Sequence, residues 1–408
     1  MEAWPIHLIV NTWQSLIIRL PVALLFIFFF ILSAEPVNAQ QKIEALSGGK
    51  THKVVFINPG HSDKGFWKNV TATMSAAATQ LGFELEVYYS DRQWLKMVRN
   101  AEAVIHGDNK PDFLIIVNEY QEGARLLALA DKAGIQTLML LNSLTPEQYK
   151  THGAPKKTLK NWVASITPDN ETAGYEMARS LVTHIITPDK TNQRPIALLT
   201  LAGDNNTPAS QVRLKGLDRA LADFPQLKEQ RRISVNWSRK AAYKRTGLWL
   251  ESGHPLDAVW AANDAIALGA IKAIREAELK PGIDVKVVGL NWSPEAISHV
   301  IEGEMILTHG GHFMAGAWAI VMLYDLVHGY DFDARAEGMT RQIHFPMTAI
   351  TQANAANYIT YFGDQQWSRI PFKEFSLTHS KNPTGYQFTL DKLIQSLHPR
   401  HNQHHEHE

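Results

Sequence analysis

The chain of 408 residues has no cysteine, no excess of charge of either sign, and only one long apolar run. Without cysteine it can form no disulfide and carry no lipid-modified thiol, so its stability must come from packing. Forty basic residues balance forty acidic ones. That balance leaves no net field to favour nucleic acid or an anionic membrane surface, and it suits a small or neutral partner. The apolar run, 22–32, lies behind Arg19 and ahead of Val37-Asn38-Ala39. Eleven such residues span about half of a bilayer core, so residues 1–39 are expected to be a cleaved export signal rather than an anchor, with the mature chain beginning at Gln40. A soluble protein of the periplasm is the expectation.

The chemistry-bearing motifs of common enzymes are also missing. There is no Gly-x-Ser-x-Gly elbow, no Gly-x-x-x-x-Gly-Lys phosphate loop and no His-Glu-x-x-His helix. The pair His309-Gly-Gly-His312 lacks the further ligands a metal needs, and it fits polar lining of a crevice or plain loop histidines better. No catalytic residue, cofactor or metal is predicted. The His-rich end, 398–408, is expected to be a solvated tail.

About 370 residues remain after the leader, more than one core usually holds. Strand-like runs at 54–58, 84–88, 113–118 and 137–141 alternate with helical patterns. Between the first two, Val70, Met74, Ala77 and Leu81 form one apolar helical face. A polar stretch at 145–161 precedes a strand at 162–166, and a lobe boundary is expected near Thr167. The alternation restarts with strands at 196–201, 233–236, 258–261 and 285–290, and with a helix facing inward through Leu214, Leu217, Leu221 and Phe224. A strong helix is expected over 313–327. The fold class is therefore α/β, with two doubly wound parallel-sheet lobes and a crevice between them facing the strand ends.

Polar and aromatic residues gather at those strand ends. Asn58-Pro-Gly-His-Ser-Asp-Lys-Gly-Phe66-Trp67 leads from a strand into a helix, and its rings suit the CH faces of a sugar or polyol, although a ring pair can equally staple a helix start. Trp260-Ala-Ala-Asn263-Asp264 does the same with an amide and a carboxylate, which can bind hydroxyls or simply cap the helix. Asn142, Arg213 and the pair Asn291-Trp292 complete the set, with Trp292 expected to face Phe66 and Trp67 across the crevice.

At these positions the chain resembles the type I periplasmic binding proteins of the ribose- and galactose-binding class, over about 53–329. The resemblance rests on Phe66-Trp67, Thr167-Pro-Asp169-Asn170-Glu-Thr-Ala-Gly174, Ser210-Gln-Val-Arg213-Leu-Lys-Gly216, Ala262-Asn263-Asp264-Ala-Ile-Ala-Leu-Gly269 and Val288-Gly-Leu-Asn291. Gly65-Phe66-Trp67, Leu141 to Pro146 and Leu290-Asn291-Trp292 are similar to elements of the class's autoinducer-2 receptors. Ser62 and Gly310 depart from that pattern, and the loss of a cationic donor weakens the case for a borate diester.

The resemblance implies a non-enzymatic, monomeric receptor that binds a small polyhydroxylated solute through Phe66, Trp67, Asn142, Asp169, Arg213, Asn263, Asp264, Asn291 and Trp292. It implies delivery to an ATP-driven membrane permease or, alternatively, signalling to a membrane kinase, chemoreceptor or cyclase. It also implies a three-strand hinge near Ser165, Leu307 and Gln342. Lobe 1 would comprise 40–165 completed by 309–340, and lobe 2 166–308 completed by 341–367, with 368–408 a C-terminal extension.

Overall fold

In the computed structural model the described residues are 50–186, 194–330, 341–380 and 385–397. The expected leader and His-rich tail lie outside them. Among the described residues no helix is long and apolar enough to cross a membrane.

The first half runs β1 (His52–Asn58), α1 (Gly65–Leu81), β2 (Phe83–Tyr89), α2 (Trp94–His106), β3 (Phe113–Ile116), α3 (Gly123–Lys132), β4 (Gln136–Leu140), α4 (Pro146–His152) and β5 (Trp162–Pro168). The second runs α5 (Asn170–Ile185), β6 (Ile196–Ala202), α6 (Pro208–Asp223), β7 (Leu227–Ser234), α7 (Arg239–Glu251), β8 (Ala258–Ala261), α8 (Asp264–Glu276), β9 (Lys286–Leu290), α9 (Pro294–Ile301) and β10 (Leu307–Gly310). Then follow α10 (Ala315–Val327), β11 (Gln342–Phe345), β12 (Thr348–Thr351), α11 (Ala355–Phe362) and α12 (Leu390–Leu397).

Two six-stranded sheets result, ordered β11-β5-β4-β3-β1-β2 and β12-β10-β9-β8-β6-β7. The first is parallel throughout, and in the second only β12 runs antiparallel, against β10. Strand side chains alternate between two buried faces. Val54 and Phe56 join one core cluster, and Val55 and Ile57 join the other, as a sheet covered by helices on both sides requires. In each sheet the order reverses beside its first strand, β1 or β6, and the carboxyl ends at that reversal are where such sheets hold ligands.

The chain crosses between the lobes three times, from β5 to α5, from β10 to α10 and from β11 to β12. Thr167 Oγ1 and His344 Nδ1, 2.9 Å apart, tie two of the crossings together.

Three features differ from the sequence reading. The strand expected at 233–236 is Leu227–Ser234, an edge strand whose charged residues leave one side exposed, so an apolar-run criterion misses most of it. On α6 Leu214, Leu221 and Phe224 pack half-buried beside buried Leu217 against the second lobe's core, as their spacing requires, but the inward face also carries Ser210, Arg213, Gly216 and Ala220. Close approach to α5 selects that face, since a Cβ on Gly216 would lie 2.0 Å from the Glu171 carbonyl oxygen.

The third difference is at the end of the chain. The segment 341–367 does not simply complete the second lobe, because β11 pairs with β5 in the first sheet. Nor do the described residues after 368 stand apart as an extension. Phe372, Phe375, Leu377, Phe388 and Leu393 pack into the first lobe's core with Trp318, whose ring stacks on Phe388 at 4.5 Å and 6°. The cause is α10, buried at every position from Ala315 to Asp325 and so apolar on a face the sheet cannot cover.

Candidate functional site

The cleft is built from strand-to-helix turns. In the first lobe, Asn58 at the end of β1 donates through Nδ2 to the Trp67 carbonyl (3.3 Å) and to Thr71 Oγ1 (2.9 Å), while its Oδ1 accepts from the Gly60 N–H (2.7 Å). The turn is thereby fixed, and α1 opens with half-buried Phe66 and Trp67 at the cleft wall. A Cβ on Gly60 would lie 2.2 Å from Trp67 Cβ, so the indole's place depends on that glycine. Phe66 meets Trp67 edge to face at 5.3 Å and stacks on His312 at 4.4 Å. Asn142 follows β4, placed by Leu141 in the left-handed region (φ 64°).

In the second lobe Arg213 reaches inward from α6 and is 4% exposed. Its Nε donates to Asn170 Oδ1 and its Nη1 to the Ala262 carbonyl, both at 2.8 Å, and Nη2 lies 3.4 Å from His312 Nε2. Burial pulls its pKa down to about 9, with the nearby Asp264 carboxylate opposing. Asp264 accepts from the Ser293 N–H (2.8 Å) and the Thr308 hydroxyl (2.7 Å). Burial raises its pKa to about 6 against those donors and Arg213.

These groups line one cavity of about 680 Å³. Of the sequence-predicted residues, Phe66, Trp67, Asn142, Arg213, Asn263, Asp264 and Asn291 line it. Asn263 also caps α8, its Oδ1 accepting from the Ile266 N–H at 2.9 Å.

Asp169 and Trp292 are not among the lining residues. Asp169 caps α5 by accepting from the Thr172 N–H (2.9 Å), and its neighbour Asn170 faces the cleft instead. Trp292, with φ 56°, turns into the core, where its Nε1 donates to the Thr348 carbonyl (2.9 Å) and its ring meets Phe313 and Tyr358 edge to face.

The structure adds Arg92, Glu119, Trp237, Arg239, Glu295 and His312. Trp237 sits over Gly203, where a Cβ would lie 2.3 Å from the indole, and its ring faces the Arg213 guanidinium at 5.7 Å. Trp237 directly follows the strand expected at 233–236, so a strand-end aromatic was the available clue. Glu119 follows β3 as Asn142 follows β4, so a strand-end acid was the available clue. Of the histidine pair, His312 lines the cleft and His309 lies buried in β10. Among the described residues, the grouping with metal-ligand spacing is His299, Glu302 and Glu304, outside the cleft, and Arg275 already pairs with Glu304.

Residues 54–331 match the sequence pattern of the periplasmic binding protein domain. The chain belongs to the periplasmic binding protein family. A periplasmic sugar-binding protein of solved structure from Pseudomonas fluorescens is 34% identical, covering 84% of this chain and 99% of its own, with a TM-score of 0.75. The xylitol-binding protein of Mycolicibacterium smegmatis is 35% identical over 95 residues, 23% of this chain and 26% of that protein. The D-apiose import binding protein of Paraburkholderia graminis is 25% identical over 257 residues, 62% of this chain and 74% of its own length. Against the xylitol-binding relative, therefore, this periplasmic binding protein spans only about a quarter of the length. Its two lobes have the type I fold of the ribose- and galactose-binding class.

Proposed function

We propose that this periplasmic binding protein captures a small polyhydroxylated, sugar-like solute between its lobes and delivers it to an ATP-driven membrane importer. The observation that carries the reading is the pairing of half-buried rings at Phe66 and Trp67 with buried polar groups at Arg213 and Asp264 in one cavity. Rings cover the CH faces of such a solute, while a guanidinium and a carboxylate bond its hydroxyls. The importer is supported by the named role of the D-apiose import relative.

The test is thermal unfolding of the protein from Gln40 onward against pentoses, hexoses, pentitols, inositols and autoinducer-2 with and without borate. A solute at a thousand times its dissociation constant adds about 4 kcal/mol, a shift of several degrees. At least one member should give that shift, and Trp67→Ala should weaken its binding at least tenfold. A panel that leaves the melting temperature unchanged would remove the reading.

A further inference from the structure

Glu119 stands apart from the other carboxylates of the cleft. It opens a short 3-10 turn after β3, is 3% exposed, and lines the cavity from the first lobe. Its Oε1 lies 3.6 Å from Arg92 Nη1, an ion pair too long for a close hydrogen bond. Its Oε2 is buried and has no hydrogen-bond partner. The contrast with Asp264 is direct, since both of that residue's oxygens already accept from protein donors. The turn holding Glu119 is strained, with Tyr120 at φ 52°, and Arg92 itself sits at φ 61°. Non-glycine residues keep such angles only where the surroundings over-determine them, and they gather at ligand sites.

A carboxylate oxygen cut off from water and left unpaired destabilises the empty protein unless a ligand completes it. We infer that Glu119 is a specificity-determining residue of the first lobe, whose carboxylate rotates toward the cavity to accept a hydrogen bond from a hydroxyl of the bound solute. Arg92 keeps the carboxylate oriented, and on the opposite lobe Asp204 lies near enough to act on its charge. Burial pushes the Glu119 pKa up, with Arg92 opposing and Asp204 reinforcing, as expected of a carboxylate lacking its full set of donors.

This inference rests on the polyhydroxylated reading and deepens it. The test compares wild type, Glu119→Gln and Glu119→Ala by calorimetric titration with whichever panel sugar or polyol raises the wild-type melting temperature, and by melting of each protein alone. Glu119→Gln should bind about ten to a hundred times more weakly, the range of a lost hydrogen bond to a charged group, and Glu119→Ala at least as weakly. The ligand-free Glu119→Gln protein should melt at or near the wild-type temperature, because the long ion pair with Arg92 is lost but a buried, incompletely paired charge is removed with it. Affinity within twofold of wild type in both variants, or a ligand-free melting temperature that falls along with affinity, would overturn the role of Glu119 while leaving the solute reading intact. A wild type that no panel member stabilises would overturn both.

Discussion

His309 and His312 lie within reach of the Arg213 charge, and both are buried. Burial, reinforced by Arg213, lowers the His309 pKa to about 4 and drives that of His312 well below its usual value. The unfolded chain binds a proton on His309 below about pH 6.5, whereas the folded protein does not until about pH 4. The neutral histidine's share of stability is therefore present above 6.5 and lost as the pH falls through 4. Asp264 has the opposite sign. Its pKa is raised from 3.8 to about 6, so its share is present below 3.8 and lost as the pH rises through 6. His309→Gln should accordingly show a shallower fall in melting temperature from pH 6.5 to pH 4 than the wild type. Parallel profiles would contradict a neutral buried His309. At this scale the sequence identifies residue types at strand ends but not their orientation. Asp169 and Asn170 are neighbours, yet only the second faces the cleft, because the first caps α5.

Elements with a strong periodic signal are the ones the sequence places well. Val70, Met74, Ala77 and Leu81 share the buried face of α1, and the strand at 258–261 is found where its apolar run lies. Where an element is fixed by tertiary partners, the pattern is weak. The residues that cover α10 are aromatics scattered among polar neighbours, and what holds them is a single buried acid. Asp325 accepts from the Ser376 hydroxyl, the Leu377 and Thr378 N–H groups (both 3.0 Å) and the Tyr386 hydroxyl (2.8 Å). Asp325→Ala leaves several of those donors unpaired, at about 1–3 kcal/mol each when buried. We expect it to lower the melting temperature by several degrees and to raise proteolytic sensitivity after Pro371, as read by thermal unfolding and limited digestion. A variant as stable as wild type would show that the C-terminal segment is held by its aromatic packing alone.

For the whole molecule, the two alternating halves made the lobes and their crevice legible from sequence, since every βα unit brings its loop to the same end of the sheet. The shared ownership of the chain's last third follows from the family resemblance and not from the pattern, because β11 and β12 are four-residue strands in different sheets. Those short strands form the third crossing, beside the crossings that follow β5 and β10. Arg213 and Asp264 on one side and Phe66, Trp67 and Glu119 on the other belong to different lobes, so a solute touching both sets favours the closed arrangement. The most direct test is a crystal structure of the protein with the strongest binder of the sugar and polyol panel. The solute should lie between the Phe66–Trp67 rings and the Arg213–Asp264 pair, touching both lobes. A solute bound to one lobe alone, or outside the cleft, would contradict capture by closure.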